Sequence, residues 1–130
     1  APSDLETWHV DPISVEPPRG KSYVLLRPGS PDGDGPLLNE APETALAAFD
    51  KVVMATPRTT RLAGSVADGR VTYVTRSRLW GFPDYTSVKA VPEGDGTRLA
   101  IFARQRFGSS DWGQNRARVD AWLAALPGTS

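Results

Sequence analysis

Hydrophobic and polar positions alternate along this chain in a way that names most of its elements. YVLLRP, residues 23–28, is a short apolar run stopped by Pro28 and predicts a strand. GSPDGDGP, residues 29–36, carries turn chemistry and predicts a loop. In PETALAAFDKVVMAT the apolar positions change to helical spacing, with Leu46, Phe49, Val52 and Val53 on one face. Pro42 suits the first helical turn, Glu43 faces the positive end of the dipole, and Pro57 ends the helix. A meander follows. TRLAGSVA and RVTYVTRSRL are predicted partners joined at Asp68-Gly69, a two-residue type I′ hairpin signal. After a break at WGFPD, YTSVKAV turns at PEGDG into the longest run, TRLAIFARQRF. There Leu99, Ile101 and Ala103 share one face, and Arg98, Phe102, Arg104 and Arg106 the other. A last helix is expected from about Trp112 to Leu126, with Trp112, Val119, Trp122, Leu123 and Leu126 as its apolar stripe.

The order strand, helix, four strands, helix predicts an α+β fold. Its antiparallel sheet should have four to five strands, with two helices packed on one face. Residues 1–20 hold four prolines and no clear period, and are expected to form an irregular arm pinned by Trp8, Val10 and Ile13. The chain divides into residues 1–36, the arm with one strand and a loop, and 37–130, the α+β part.

Composition narrows the function classes. Fifteen basic residues cancel fifteen acidic ones, so nothing draws the whole molecule to nucleic acid or an anionic membrane. The absence of cysteine excludes disulfides, thiolate catalysis and thiolate metal sites. No apolar run approaches the roughly 20 residues of a bilayer span. The opening APSDLETW lacks a methionine, as expected if a signal peptide, a membrane anchor or an artificial boundary lies upstream. His9 is the one histidine; with Asp11 it falls short of the three or four ligands zinc takes, and it has no nucleophile partner. Its expected role is to seat WHVDP on the body. No metal, cofactor or catalytic residue is assigned.

Two stretches carry candidate chemistry. In RFGSSDWGQNR, residues 106–116, Asp111 and Gln114 form a capping-box pattern for the last helix, and Gly108 and Gly113 allow tight turning. Asn115 could bond outward from the first turn, and the same helix start could bind a carboxylate or phosphate, completed by Arg104, Arg106 and Arg116. The glycine spacing imitates a P-loop, but Gln114 and Asn115 stand where phosphate and magnesium ligands are needed, which excludes a nucleotide site. In RSRLWGFPD, Arg76 and Arg78 share a strand face, as do Arg104 and Arg106. If the pairs lie on one side, four guanidiniums converge, with Asp84 and Asp111 as natural partners. The outcome is either a structural charge network or a basic pocket for an anionic ligand. So many arginines are expected to keep both aspartates ionised, which is poor preparation for a general acid; a hydrolase using either is the weakest alternative. Trp80 is a candidate contact residue.

These stretches resemble the uncharacterised bacterial family known as domain of unknown function 1499. The resemblance covers residues 40–126 and rests on Arg76, Ser77, Arg78, Phe82 and Asp84, then Arg106, Gly108, Ser110, Asp111, Gly113, Asn115 and Arg118. Tyr85 and Gln105 depart from the common pattern without touching its charged core. The opening APSDLETWHVDP is similar to an alphaproteobacterial subset that follows a membrane helix or signal. The resemblance implies an α+β domain in the periplasm, tethered to the inner membrane by an anchor absent from this chain, and implies no reaction. The functional expectation is a non-enzymatic domain acting through an envelope protein partner. The alternative is a module binding an anionic small molecule or lipid headgroup at the arginines.

Overall fold

The computed structural model describes residues 2–127. Its elements are helix α1 (Leu5–Trp8), strands β1 (Tyr23–Leu26) and β2 (Leu37–Leu38), helix α2 (Pro42–Met54), strands β3 (Thr59–Ser65), β4 (Arg70–Arg76), β5 (Pro83–Glu93) and β6 (Gly96–Gln105), and helix α3 (Gln114–Ala124). The strands form one antiparallel sheet in the order β1-β6-β5-β4-β3, and β2 pairs with the start of β6. The α+β class is as expected. The sheet has six strands rather than four or five, because the two-residue β2 is too short to show a period, and α1 adds a third helix inside the arm. Of the segments 1–36 and 37–130, residues 1 and 128–130 lie outside the described residues.

Period two sorts the sheet into two faces. Val71 and Tyr73 of β4, Val88 and Ala90 of β5, and Leu99, Ile101 and Ala103 of β6 point toward the helices, where they meet Leu46, Phe49 and Val53 of α2 and Val119 and Trp122 of α3. Phe49 holds Tyr73 and Trp122 edge-on at 6.3 and 6.1 Å. Asp50 is buried in the same helix face, accepting from both Nε and Nη2 of Arg61 at 2.9 and 2.6 Å and from the Tyr73 hydroxyl at 2.8 Å. The Arg61 bonds come first in holding its carboxyl below the usual range, with burial opposing them.

The second face is covered by the arm. Trp8 stacks on Tyr85 at 4.2 Å. His9 Nδ1 meets Thr72 Oγ1 at 2.6 Å, and Asp11 pairs with Lys89 at 2.7 Å. The stretch is helical at Leu5–Trp8 because Asp4 caps it, accepting from the Glu6 N–H and the Thr7 hydroxyl. The expected type I′ turn at Asp68-Gly69 is instead a four-residue loop between Ser65 and Arg70, in which Gly69 alone takes positive φ. Gly94, at φ +57°, makes the tight β5–β6 turn.

Candidate functional site

The β4–β5 loop and the β6–α3 loop meet at one end of the sheet. Asp84 opens β5 opposite Gln105, which closes β6, and both point to the helix side. Ser77 Oγ takes the Phe82 N–H at 3.0 Å and holds the first loop closed. With its amide turned to suit its neighbours, Gln105 donates to Ser22 O at 2.9 Å and accepts from the Ser110 N–H at 3.3 Å. This ties the second loop to the sheet.

Asp111 caps α3. Its carboxylate accepts the N–H groups of Gly113 at 2.9 Å and Asn115 at 3.0 Å. The reciprocal bond from Gln114 that would complete a capping box is absent among the described residues. Burial pushes the Asp111 carboxyl up, but the Asn115 and Gly113 contacts outweigh it and leave it low. The Asn115 amide is fully buried; its Oδ1 accepts from Arg118 at 2.9 Å, while its Nδ2 has no hydrogen-bond partner among the described residues. Arg118 also donates to Asp84 Oδ2 at 3.0 Å, with both side chains nearly enclosed. Burial is the main cause that raises the Asp84 carboxyl, with the Asp111 charge adding to it and Arg118 opposing. For Asp84 that reverses the expectation that arginines would hold both acids low; Asp111 is low, but through the Asn115 and Gly113 contacts rather than arginines. Among the described residues one arginine, Arg118, reaches Asp84, and desolvation wins.

Asp84, Ser110, Asp111 and Asn115 are therefore brought together, and the expected arginines are not. Arg104 lies on the opposite face beneath the arm, donating to Thr7 O with its guanidinium 4.4 Å over the Trp8 ring. Arg106 donates to the Tyr85 hydroxyl at 3.1 Å and to Pro2 O at 3.4 Å. Arg76 donates to Gly81 O at 2.9 Å. Arg78 sits past the end of β4, exposed in the loop. Arg116 points outward to Asp120 and Asp32 O. Convergence on the aspartates fails because β4 ends at Arg76 and the arm claims the face that Arg104 and Arg106 share. The residue that does pair, Arg118, was visible as the last position of the Arg-x-Gly-x-Ser-Asp-x-Gly-x-Asn-x-x-Arg pattern. Its helical i,i+3 spacing from Asn115 was the available signal.

Around this polar centre the surface is apolar. Leu79 is 79% exposed and Trp80 71%, and Phe82 and Phe107 are each more than half exposed. Phe82 lies 6.5 Å from Trp80 and 5.7 Å from Phe107, centroid to centroid. Trp112, expected in the helix core, is 95% exposed. The helix begins two residues later than expected, because Trp112 and Gly113 both take left-handed backbone, at φ +58° and +79°, and Gly113 is its N-cap. Trp80, Phe82, Phe107 and Trp112 border a cleft of about 370 Å³ with Asp84 and Asp111 in its lining.

Fold and site thus define an α+β domain with one aromatic-rimmed, acid-lined cleft where the sheet meets its last helix. The chain belongs to the family described as Protein of unknown function (DUF1499), whose family model matches residues 9–126. That span is longer than the 40–126 of the resemblance and takes in the arm from His9. No curated protein matches the chain.

Proposed function

We propose that this domain is a contact module of the cell envelope, acting by binding a protein partner through its two aromatic loops. One observation carries the proposal: Trp112 is almost wholly exposed and sits in left-handed backbone, which costs a non-glycine residue about 1–2 kcal/mol. Folding gains nothing from a tryptophan there. Four more large apolar side chains stand in the same two loops, and such contiguous patches mark interaction surfaces. The anion-binding alternative needs converged arginines, and Arg104 and Arg106 are instead engaged with the arm and Tyr85.

Location in the periplasm, tethered to the inner membrane, belongs to this proposal and is supported by the opening phrase APSDLETWHVDP. Fractionation of the native gene product tests it, and recovery in the cytoplasm would remove it. The contact is tested by photo-crosslinking from positions 80 and 112 in native cells, with position 95 on the far hairpin as control. The expected result is one product shared by 80 and 112 and missing from 95. That product, purified, should bind at least tenfold more weakly to the Trp80→Ser, Trp112→Ser double variant. Equal binding by the double variant would overturn the contact surface.

A further inference from the structure

The cleft between the two loops has a specific composition. Trp80, Phe82, Phe107 and Trp112 supply ring surfaces, Asp84 and Asp111 supply carboxylates, and no lysine or arginine is in the lining, although the Arg106 guanidinium lies 5.6 Å over the Phe107 ring and leaves Trp80, Phe82 and Trp112 as the rings for a cation. Asp84 is half-answered by Arg118, which occupies only Oδ2; Oδ1 has no donor among the described residues. Asp111 is held by backbone N–H groups rather than by a cation, so its charge is not cancelled by a basic side chain. Ring faces are negative in their quadrupole and attract cations within about 6 Å, more strongly when water is excluded. Carboxylates at the base of an aromatic enclosure add a second attraction of the same sign. The volume of about 370 Å³ is at the low end of the roughly 300–1,000 Å³ of small-molecule sites and suits one side chain rather than a folded surface.

We propose, resting on the contact reading above, that the cleft receives the guanidinium or ammonium of an arginine or lysine side chain presented by the partner protein. The rings clamp the apolar stem, and Asp111 and Asp84 Oδ1 accept from the charged tip. Arginine fits better than lysine, since a planar, weakly hydrated guanidinium both stacks on rings and bridges two acceptors. A zwitterionic lipid headgroup offers the same cation but brings a phosphate toward two carboxylates.

The test uses the whole chain, isotope-labelled, titrated with acetyl-Gly-Arg-Gly-amide, its lysine, norleucine and glutamate counterparts, and phosphatidylethanolamine vesicles. The four tryptophan Nε1–H resonances are read. Trp122 donates its Nε1–H to Thr56 within the core, and Trp8 lies on the far face, so both serve as controls. Expected are shifts of Trp80 and Trp112 alone, at millimolar arginine peptide, with norleucine and glutamate at least tenfold weaker. Asp111→Asn should weaken the arginine peptide at least fivefold while its Oδ1 keeps one of the two backbone N–H contacts at the start of α3. Should Asp111→Asn disturb folding, Trp112→Ser must give the same weakening from a position that folding does not use. Equal binding of norleucine, or no effect of either substitution, would overturn the proposal. Vesicles that shift Trp80 and Trp112 while the arginine peptide does not would also overturn it, in favour of a lipid. If the crosslinked partner depends on the loops but ignores Asp111→Asn, only the cation assignment falls. If it ignores the loops as well, the contact reading falls with it.

Discussion

Trp112 shows how a single residue separates stability from function. Replacing it with glycine relieves the left-handed backbone and removes no buried contact. Trp112→Gly should raise unfolding stability by about 1 kcal/mol while weakening the partner. Urea denaturation checks the first half, and a loss of stability would show that the ring is structural. The Asp84–Arg118 pair behaves oppositely. Arg118→Met leaves a buried carboxylate unanswered and should cost about 3 kcal/mol. The Asp84→Leu, Arg118→Met double variant removes the stranded charge and should cost less than the single change. A double that costs the sum of both singles would mean the two residues act independently.

At the level of elements, the β3–β4 ribbon depends on one close approach. β3 carries a register irregularity between Arg61 and Ala63, and beyond it Gly64 lies at φ +80°. A Cβ on Gly64 would sit 2.1 Å from Arg70 O and 3.0 Å from His9 Cε1. Gly64→Ala should therefore destabilise by about 2–4 kcal/mol, through both backbone strain and a clash that β4 cannot yield to. Thermal unfolding measures it, and a change below 1 kcal/mol would mean the ribbon opens easily. The elements were largely legible. β1, the β3–β6 meander and α2 follow from alternation and helical spacing in YVLLRP, TRLAGSVA, RVTYVT and the stripe of Leu46, Phe49 and Val53. What stayed hidden was the one-turn helix α1 inside the arm, β2, two residues long, and the start of α3. Trp112 falls at helical spacing with Val119 and Trp122, yet it lies outside the helix, because a carboxylate at 111 and a glycine at 113 end the preceding loop there.

For the whole molecule, the arm is the second wall of the sheet. Trp8→Ala should cost about 2 kcal/mol, below the roughly 3–5 of a core tryptophan because Trp8 is half-buried. His9 ties the same wall to pH. Burial first, then Arg70, lowers its pKa, with Asp68 opposing. The folded chain binds this proton less readily than the unfolded chain, whose histidine titrates near about 6.5. The stability His9 contributes is therefore complete above that value and is lost as pH falls through the lowered folded pKa. Denaturant midpoints at pH 7.5 and 5.5 should differ in the native chain, with the lower pH less stable, and the difference should shrink in His9→Gln. An unchanged difference would place the titration elsewhere.

β1, α2, the β3–β6 meander, the α+β class and the polar signature from Arg106 to Arg118 were readable along the chain, because alternation, helical spacing and turn residues act over a few positions. The side-chain pairings came from the assembled fold. Arg118 rather than the strand arginines answers Asp84, since which side chains meet depends on where strands end and which face the arm covers. The same assembly turned Trp80, Phe82, Phe107 and Trp112 outward around two aspartates, a juxtaposition across loops that no spacing along the chain encodes.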